Sequence, residues 1–477
     1  QEFYHVAQVE VLRGPQGPLY GRNATAGVVN LTSAKPTDQF EAMASAELGN
    51  YRQRRFEGMI NIPIVDDWLD IRISGEWTKR NGYSFNQLTD SSIDGRDLWS
   101  GRLTIGWKPT PEIQTYLVWE HFSESDDRLR SGKQLCKTDP GPPNSNGTAG
   151  EGGANPLSQG CLPTSLYSPE AFEVPNGDSL PYVNALQVEG LSNILDPYAS
   201  TTQSRDLRTI ESAINPIYKA QNDVLELNAE YHPIAELTFT SQTGFNHDFL
   251  YSAEDYNRFN TAPGLFTPNN GSDPNFPRTS ATGVFCDPQL GCSDRLVAED
   301  LSEEHAWQLS QEFRLASNFS GPFNFSVGAN HLHYETAENY YVFINSVTLF
   351  DAQEPYPWIP GVTDNHECLM KERGAGAGGF QYPDPNSSAA LGCVYIDPNP
   401  IDKLNNEGHN YFLSQNPYLL NSYAGFGEVY YNIFKDLKLT GGLRWTDDFK
   451  HFSLLPSWLA DNGYGYPVVG VVDQSWR

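Results

Sequence analysis

Short segments in which apolar and polar residues alternate recur along most of this chain. In residues 68–78, one face would carry Leu69, Ile71, Ile73, Gly75 and Trp77, and the other Asp70, Arg72, Ser74, Glu76 and Thr78. This alternation is typical of a β-strand with one apolar and one polar face. The pattern predicts roughly eleven strands, near residues 40–50, 52–64, 67–82, 95–108, 112–126, 219–232, 235–252, 304–318, 321–344, 421–434 and 436–453.

The connections between these segments have two very different lengths. Tight turns are expected at residues 65–67, 109–111, 232–234, 318–321 and 435–436, and long loops at 127–218, 253–303 and 345–420. Short turns at one end and long loops at the other are the arrangement of outer-membrane β-barrels. A compact soluble domain seldom contains loops of this length. The sequence therefore predicts an all-β, antiparallel transmembrane barrel.

A second pattern lies in residues 9–36, where two short apolar segments flank a stretch rich in glycine. Its most distinctive residues are Arg13, Gly14, Pro15, Tyr20, Gly21, Arg22, Asn23 and Gly27. A phosphate-binding loop is disfavoured, because such a loop needs Gly-Lys-Ser/Thr before a helix. Here Gly21 is followed by Arg22 and Asn23, and then by an expected strand. The segment resembles the end of the plug domain of TonB-dependent outer-membrane receptors, which take up scarce nutrients through a plugged barrel.

This resemblance implies a domain organisation. Residues 1–37 would be the C-terminal part of an N-terminal plug domain, and residues 38–477 about half of a 22-strand barrel. Because an unclosed barrel edge in lipid is costly, we expect the chain to be a portion of a longer polypeptide.

The resemblance also implies a function. It implies TonB-dependent import, most often of a ferric siderophore, in the outer membrane of a Gram-negative bacterium. The partners would be the TonB energy-transducing complex, outer-membrane lipid and a metal chelate or other small nutrient. A carbohydrate, cobalamin or haem is an alternative substrate, and a secreted β-rich enzyme or an adhesin is the alternative class. No catalytic motif, cofactor site or metal site is expected.

Plug arginines in such receptors are expected to pair with acidic residues on the barrel wall. Glu312 and Glu428 follow the alternation of their segments onto the lumen side. We therefore predict an ion pair that joins Arg13 or Arg22 to Glu312 or Glu428, since a buried charge must be paired. The alternative is that each of these side chains is a solvated lumen charge.

All six cysteines fall in the expected long loops: Cys136, Cys161, Cys286, Cys292, Cys368 and Cys393. Six cysteines allow fifteen connectivities, and pairing between sequence neighbours is the simplest. Disulfides indicate an oxidising compartment. A zinc site is disfavoured, because no Cys-x2-Cys pair occurs and the histidines lack ligand spacing.

The chain is strongly acidic, with 31 Lys+Arg against 59 Asp+Glu and a net charge of −28. This balance argues against a nucleic-acid partner, which requires a basic face. The acidity either keeps long loops soluble or favours cationic and metal-bearing ligands. His331 and His333 could bind a metal, but their phase in the alternation predicts that they face the membrane interface.

Overall fold

The N-terminal residues form a small unit of their own. A computed structural model describes residues 4–21, 24–142, 157–177, 183, 186–187, 190–194, 196–255, 259–268, 279–353, 399–404, 411–454 and 472–476. Strands β1 (Val6–Arg13) and β2 (Gly27–Ser33) pair antiparallel, and the short helix α1 (Gly17–Tyr20) lies between them.

Most later strands belong to one large antiparallel sheet. They are β3 (Glu41–Leu48), β4 (Arg54–Val65), β5 (Leu69–Arg80), β8 (Arg96–Thr110), β9 (Ile113–Asp126), β13 (Ile217–Ile234), β14 (Leu237–Glu254), β17 (Ala298–Ser317), β18 (Phe323–Ile344), β19 (Tyr411–Gln415), β20 (Tyr418–Phe434), β21 (Leu437–Leu454) and β22 (Val472–Trp476). Among the described residues, β3 and β22 are the two ends of the strand order. Strand β19 pairs with the C-terminal part of β18, residues 339–343. The eleven strands predicted from alternation are all present, and the all-β antiparallel prediction is confirmed.

The long connections carry only short elements. These are β6 (Ser84–Asn86), β7 (Ser91–Ile93), β10 (Lys137–Thr138), β11 (Cys161–Leu162), β12 (Thr209–Ile210), β15 (Phe285–Asp287), β16 (Gly291–Ser293), the helix α2 (Asn345–Gln353) and two 3-10 turns, Pro169–Ala171 and Ile401–Lys403. Leu186, Phe266, Phe285 and Leu349 are all at most 1% exposed and pack in one cluster. The connections after β9, β14 and β18 therefore share a small apolar core of their own.

The two faces of the large sheet are reversed relative to a soluble protein. One row of paired residues runs from Ile73 to Leu103, Trp119, Leu225 and Phe245 across five neighbouring strands. Ile73, Trp119 and Leu225 in this row are 49%, 48% and 45% exposed. A contiguous apolar surface of this kind is rare on a soluble monomer and marks contact with lipid or a partner.

Polar side chains occupy the opposite face. Asn61, Glu76, Thr104 and Glu120 are all buried there. Apolar residues outside and polar residues inside are the pattern of a transmembrane barrel strand. On β8, Trp107 and Trp99 are both exposed and lie eight residues apart. At about 3.3 Å per residue and a tilt of about 45°, they bracket a band about 20 Å tall.

Within the described residues, no helix is long and apolar enough to cross a membrane.

Candidate functional site at the plug and the barrel lumen

The glycine-rich segment forms a tight hairpin around α1. The backbone N–H of Gly14 donates to the Ala26 carbonyl at 3.0 Å, and that of Gln16 donates to the Ala24 carbonyl at 2.8 Å. Gly27 has a φ of +153°, and a Cβ there would lie 2.4 Å from the Leu12 carbonyl oxygen. Only glycine fits this close approach without a shift of the backbone. Pro15 and Tyr20 lie in the same hairpin, whereas Arg22 and Asn23 fall outside the described residues.

Helix α1 packs against the barrel wall at β20 and β21. A Cβ on Gly21 would lie 3.3 Å from the guanidinium of Arg444, and one on Gly442 would lie 2.9 Å from the Cβ of Pro18. The wall therefore accommodates α1 because position 442 has no side chain. Pro18 is itself a contact residue.

A second contact joins the residues before β1 to the wall at β8. The Tyr4 hydroxyl lies 3.1 Å from the Ser100 hydroxyl, and Arg102 donates to the Tyr4 carbonyl at 3.3 Å. The same guanidinium forms an ion pair with Glu120 at 2.7 Å, with both side chains about 10% exposed or less. Arg102 also lies over the Tyr4 ring, 4.9 Å from its centroid. One buried arginine thus holds both the wall and the plug segment.

Two further contacts flank the hairpin. His5 Nε2 lies 3.5 Å from Glu57 Oε1. Burial lowers the pKa of His5, and the neighbouring Glu57 carboxylate opposes this shift. At the other end, Lys35 Nζ lies 3.9 Å from Glu230 and 4.2 Å from the centroid of the Tyr116 ring. In both contacts, a basic side chain of the N-terminal segment lies beside an acidic residue of the wall.

Hydrogen bonds from Asn61 also fix the connection between the hairpin and the large sheet. The Asn61 amide donates to the Thr37 carbonyl at 2.7 Å and to the Gln39 carbonyl at 2.6 Å, and its oxygen accepts from the Thr37 N–H at 3.0 Å. Asn61 is fully buried. This lumen amide therefore satisfies the backbone groups next to the proposed domain boundary at residues 37–38.

The acidic residues expected to receive a plug arginine have other contacts here. Glu312 pairs with Arg314 at 2.6 Å, and Glu428 accepts a hydrogen bond from the Tyr430 hydroxyl at 2.8 Å. Arg13 is exposed. In the part of the chain that the structure describes, no ion pair joins Arg13 to Glu312 or Glu428. Pairs that involve Arg22 fall outside that part, so the predicted lock stays a prediction.

The inner face of the sheet lines an open cavity of about 680 Å³. We call this cavity the vestibule. Its inward-facing aromatic and charged lining comes from five strands and the segment after β9, and consists of Phe122, Glu124, Arg128, Tyr218, Asp248, Glu304 and Tyr334. This volume lies within the range of small-molecule sites, about 300–1,000 Å³.

The cysteines fall beyond the ends of the barrel strands. Cys136 is bonded to Cys161, and Cys286 to Cys292 in the β15–β16 hairpin, so two of the three expected pairs are formed. Cys368 and Cys393 lie outside the described residues. No group of three or more potential metal ligands occurs in the described part of the chain. His331 instead stacks on Tyr423.

Sequence analysis missed Tyr4, His5, Lys35 and Arg102. Arg102 precedes the outward-facing Leu103, so the alternation of β8 places Arg102 on the lumen face. This pattern could have identified Arg102 as a lumen residue. It does not identify the plug atoms that Arg102 meets, because its contact with Tyr4 spans 98 positions.

This arrangement, an antiparallel sheet with an apolar outer face, a polar inner face and a small docked hairpin, is similar to the fold of solved structures of TonB-dependent siderophore receptors. The structure of the ferric yersiniabactin uptake receptor of Yersinia pestis matches the whole chain with a TM-score of 0.55 at 12% identity. The open form of the ferric-catecholate import receptor Fiu of Escherichia coli K12 matches 99% of it with a TM-score of 0.53, also at 12% identity.

Sequence comparison points to the same class over a short stretch. The catecholate siderophore receptor Fiu of Escherichia coli K12 is 33% identical over 84 residues, which are 17% of this chain and 11% of that receptor. No protein-family model matches the chain. The chain spans 49% and 56% of the two receptor structures, so its sheet corresponds to about half of such a barrel.

Proposed function

We propose that this chain is part of an outer-membrane transporter that imports a ferric siderophore, with energy supplied by TonB. Residues 1–37 are the C-terminal part of its plug and residues 38–477 the first half of its barrel. The single observation that carries the proposal is the distribution of residues on the large sheet. Trp119 and Leu225 are exposed on its apolar outer face, and Glu76 and Glu120 are buried on its polar inner face. Such a sheet is stable only when lipid covers the apolar face.

The docked hairpin supports transport rather than passive diffusion. Tyr4, His5 and Lys35 each bond a wall residue across the lumen, and α1 packs on two strands. These contacts are few and polar, so a modest pull can break them one at a time. The hairpin is therefore suited to be a removable obstruction. Import of another nutrient, such as a carbohydrate, cobalamin or haem, would rely on the same removable hairpin.

Uptake by living cells tests this proposal. Cells with and without the gene would be given ⁵⁵Fe-loaded siderophores under iron limitation, with TonB present or deleted. We expect uptake that needs both the receptor and TonB. Unchanged uptake of every iron chelate in the absence of the receptor would contradict iron import, and the same assay with labelled sugars and cobalamin would follow.

A further inference from the structure

The charges that line the vestibule are unbalanced. Three carboxylates, Glu124, Asp248 and Glu304, face it together with one guanidinium, that of Arg128. Polar amides, aromatic rings and aliphatic side chains complete the lining. The surface offered to a ligand by this half of the lumen is therefore net negative.

Arg128, the single cation among the described lining residues, is already engaged. Arg128 Nη2 lies 3.3 Å from Glu124 Oε2, and its guanidinium stacks 3.5 Å from the centroid of the Tyr218 ring. The neighbouring arginines are paired as well, Arg96 with Asp94 at 3.3 Å and Arg130 with Asp300 at 2.5 Å. An anionic ligand would have to break one of these pairs to gain a cationic partner.

Two of the carboxylates, in contrast, accept hydrogen bonds from neutral donors. Asp248 accepts from the side-chain amides of Asn222 and Asn246, and Glu304 accepts from the Thr336 hydroxyl at 3.0 Å. Glu124 is 95% buried, and its Oε1 lies 4.0 Å from Arg96 Nε but accepts no hydrogen bond from any described residue. A buried carboxylate oxygen without a donor is costly and calls for one from a ligand or water.

We propose that the vestibule selects ferric chelates by charge: it binds neutral or cationic chelates, such as those built on hydroxamates, and disfavours trianionic tris-catecholates. This inference rests on the proposed function and specifies its substrate class. The physical reason is that like charges repel strongly in a partly desolvated cavity. Phe122 and Tyr334 supply the apolar and cation-binding surface that such a ligand needs.

Binding to the receptor purified in detergent tests the inference. Three ferric chelates serve as probes: ferrioxamine B, which is monocationic, ferrichrome, which is neutral, and ferric enterobactin, which is trianionic. Quenching of tryptophan fluorescence at physiological salt gives each Kd. We expect the two hydroxamate chelates to bind at least about tenfold more tightly than the trianion, a difference of about 1.4 kcal/mol.

Charge variants locate the effect. Asp248→Asn combined with Glu304→Gln should weaken ferrioxamine B by about tenfold and tighten ferric enterobactin. Gln308→Arg, which adds an unpaired cation to the lining, should also tighten ferric enterobactin. Asp223→Asn removes one carboxylate charge from the outer face, beside His121, and should change neither Kd. Heat-modifiable gel mobility confirms that each variant is folded.

The outcomes separate the two proposals. Tightest binding of ferric enterobactin to the unmodified receptor would overturn the charge inference and leave iron import standing. Failure to bind any of the three chelates would overturn the proposed function and, with it, this inference. Equal effects of Asp223→Asn and the vestibule variants would overturn the assignment of selectivity to the vestibule.

Discussion

At the scale of single residues, Arg102 is the most consequential contact between plug and wall. Its ion pair with Glu120 is nearly fully buried, and the same guanidinium donates to the Tyr4 backbone. Arg102→Met would leave the Glu120 carboxylate buried without its partner, which costs about 3–5 kcal/mol. We expect a lower unfolding temperature in detergent and faster proteolysis of the residues before β1.

Two variants check this reading of Arg102. Adding Glu120→Gln to Arg102→Met should restore much of the stability, because no buried charge is then left. Lys79→Met breaks a pair with Asp97 that is 53% and 38% exposed, and should cost at most about 1 kcal/mol. If Arg102→Met were no more harmful than Lys79→Met, the buried pair would not hold the plug.

His5 makes docking of the hairpin sensitive to pH. Burial lowers the pKa of His5 in the docked state, so the docked state binds fewer protons than the released one. Docking is therefore at full strength above the ordinary histidine pKa of about 6.5 and weakens as the pH falls through and below it. Hydrogen exchange of β1, corrected for intrinsic rates, should show less protection at pH 5 than at pH 7.5. His5→Gln should remove this difference, and an unchanged difference would assign it to another group.

At the scale of elements, the strands were predictable and the loops were not. Alternation is local information, and it located all eleven long strands because each has one apolar and one polar face. The loop core joins Leu186, Phe266, Phe285 and Leu349, which come from three separate connections. No local sequence pattern predicts contacts between residues so far apart in the chain. The contacts of Tyr4 and Lys35 with the wall could not be predicted for the same reason.

The outward face of β13 allows a direct test of an element. Leu225 lies between Trp119 and Phe245 in the apolar row and is 45% exposed. Leu225→Arg would place a charge in lipid near the middle of the strand, which costs about 2–4 kcal/mol. We expect a matching loss of stability in unfolding from lipid bilayers. The control Gln242→Arg on the lumen face should be nearly neutral, and equal losses would contradict the assignment of faces.

At the scale of the whole molecule, the polarity of the sheet is consistent with the position of the hairpin. The sheet is apolar on one face and polar on the other, and the hairpin docks on the polar face through Tyr4, His5 and Lys35. The sheet ends at β3 and β22 within the described residues, and the matched receptor structures are about twice as long as this chain.

Spin labels along β13 test the central claim, that lipid covers the outer face and water the inner one. Single cysteines at positions 224–229 would be labelled in the receptor reconstituted in bilayers, with the native disulfides intact. Collision rates with oxygen and with a water-soluble nickel chelate would then be measured by electron paramagnetic resonance. We predict high oxygen accessibility at 225, 227 and 229 and high nickel accessibility at 224, 226 and 228. Uniform accessibility, or the opposite phase, would contradict the account.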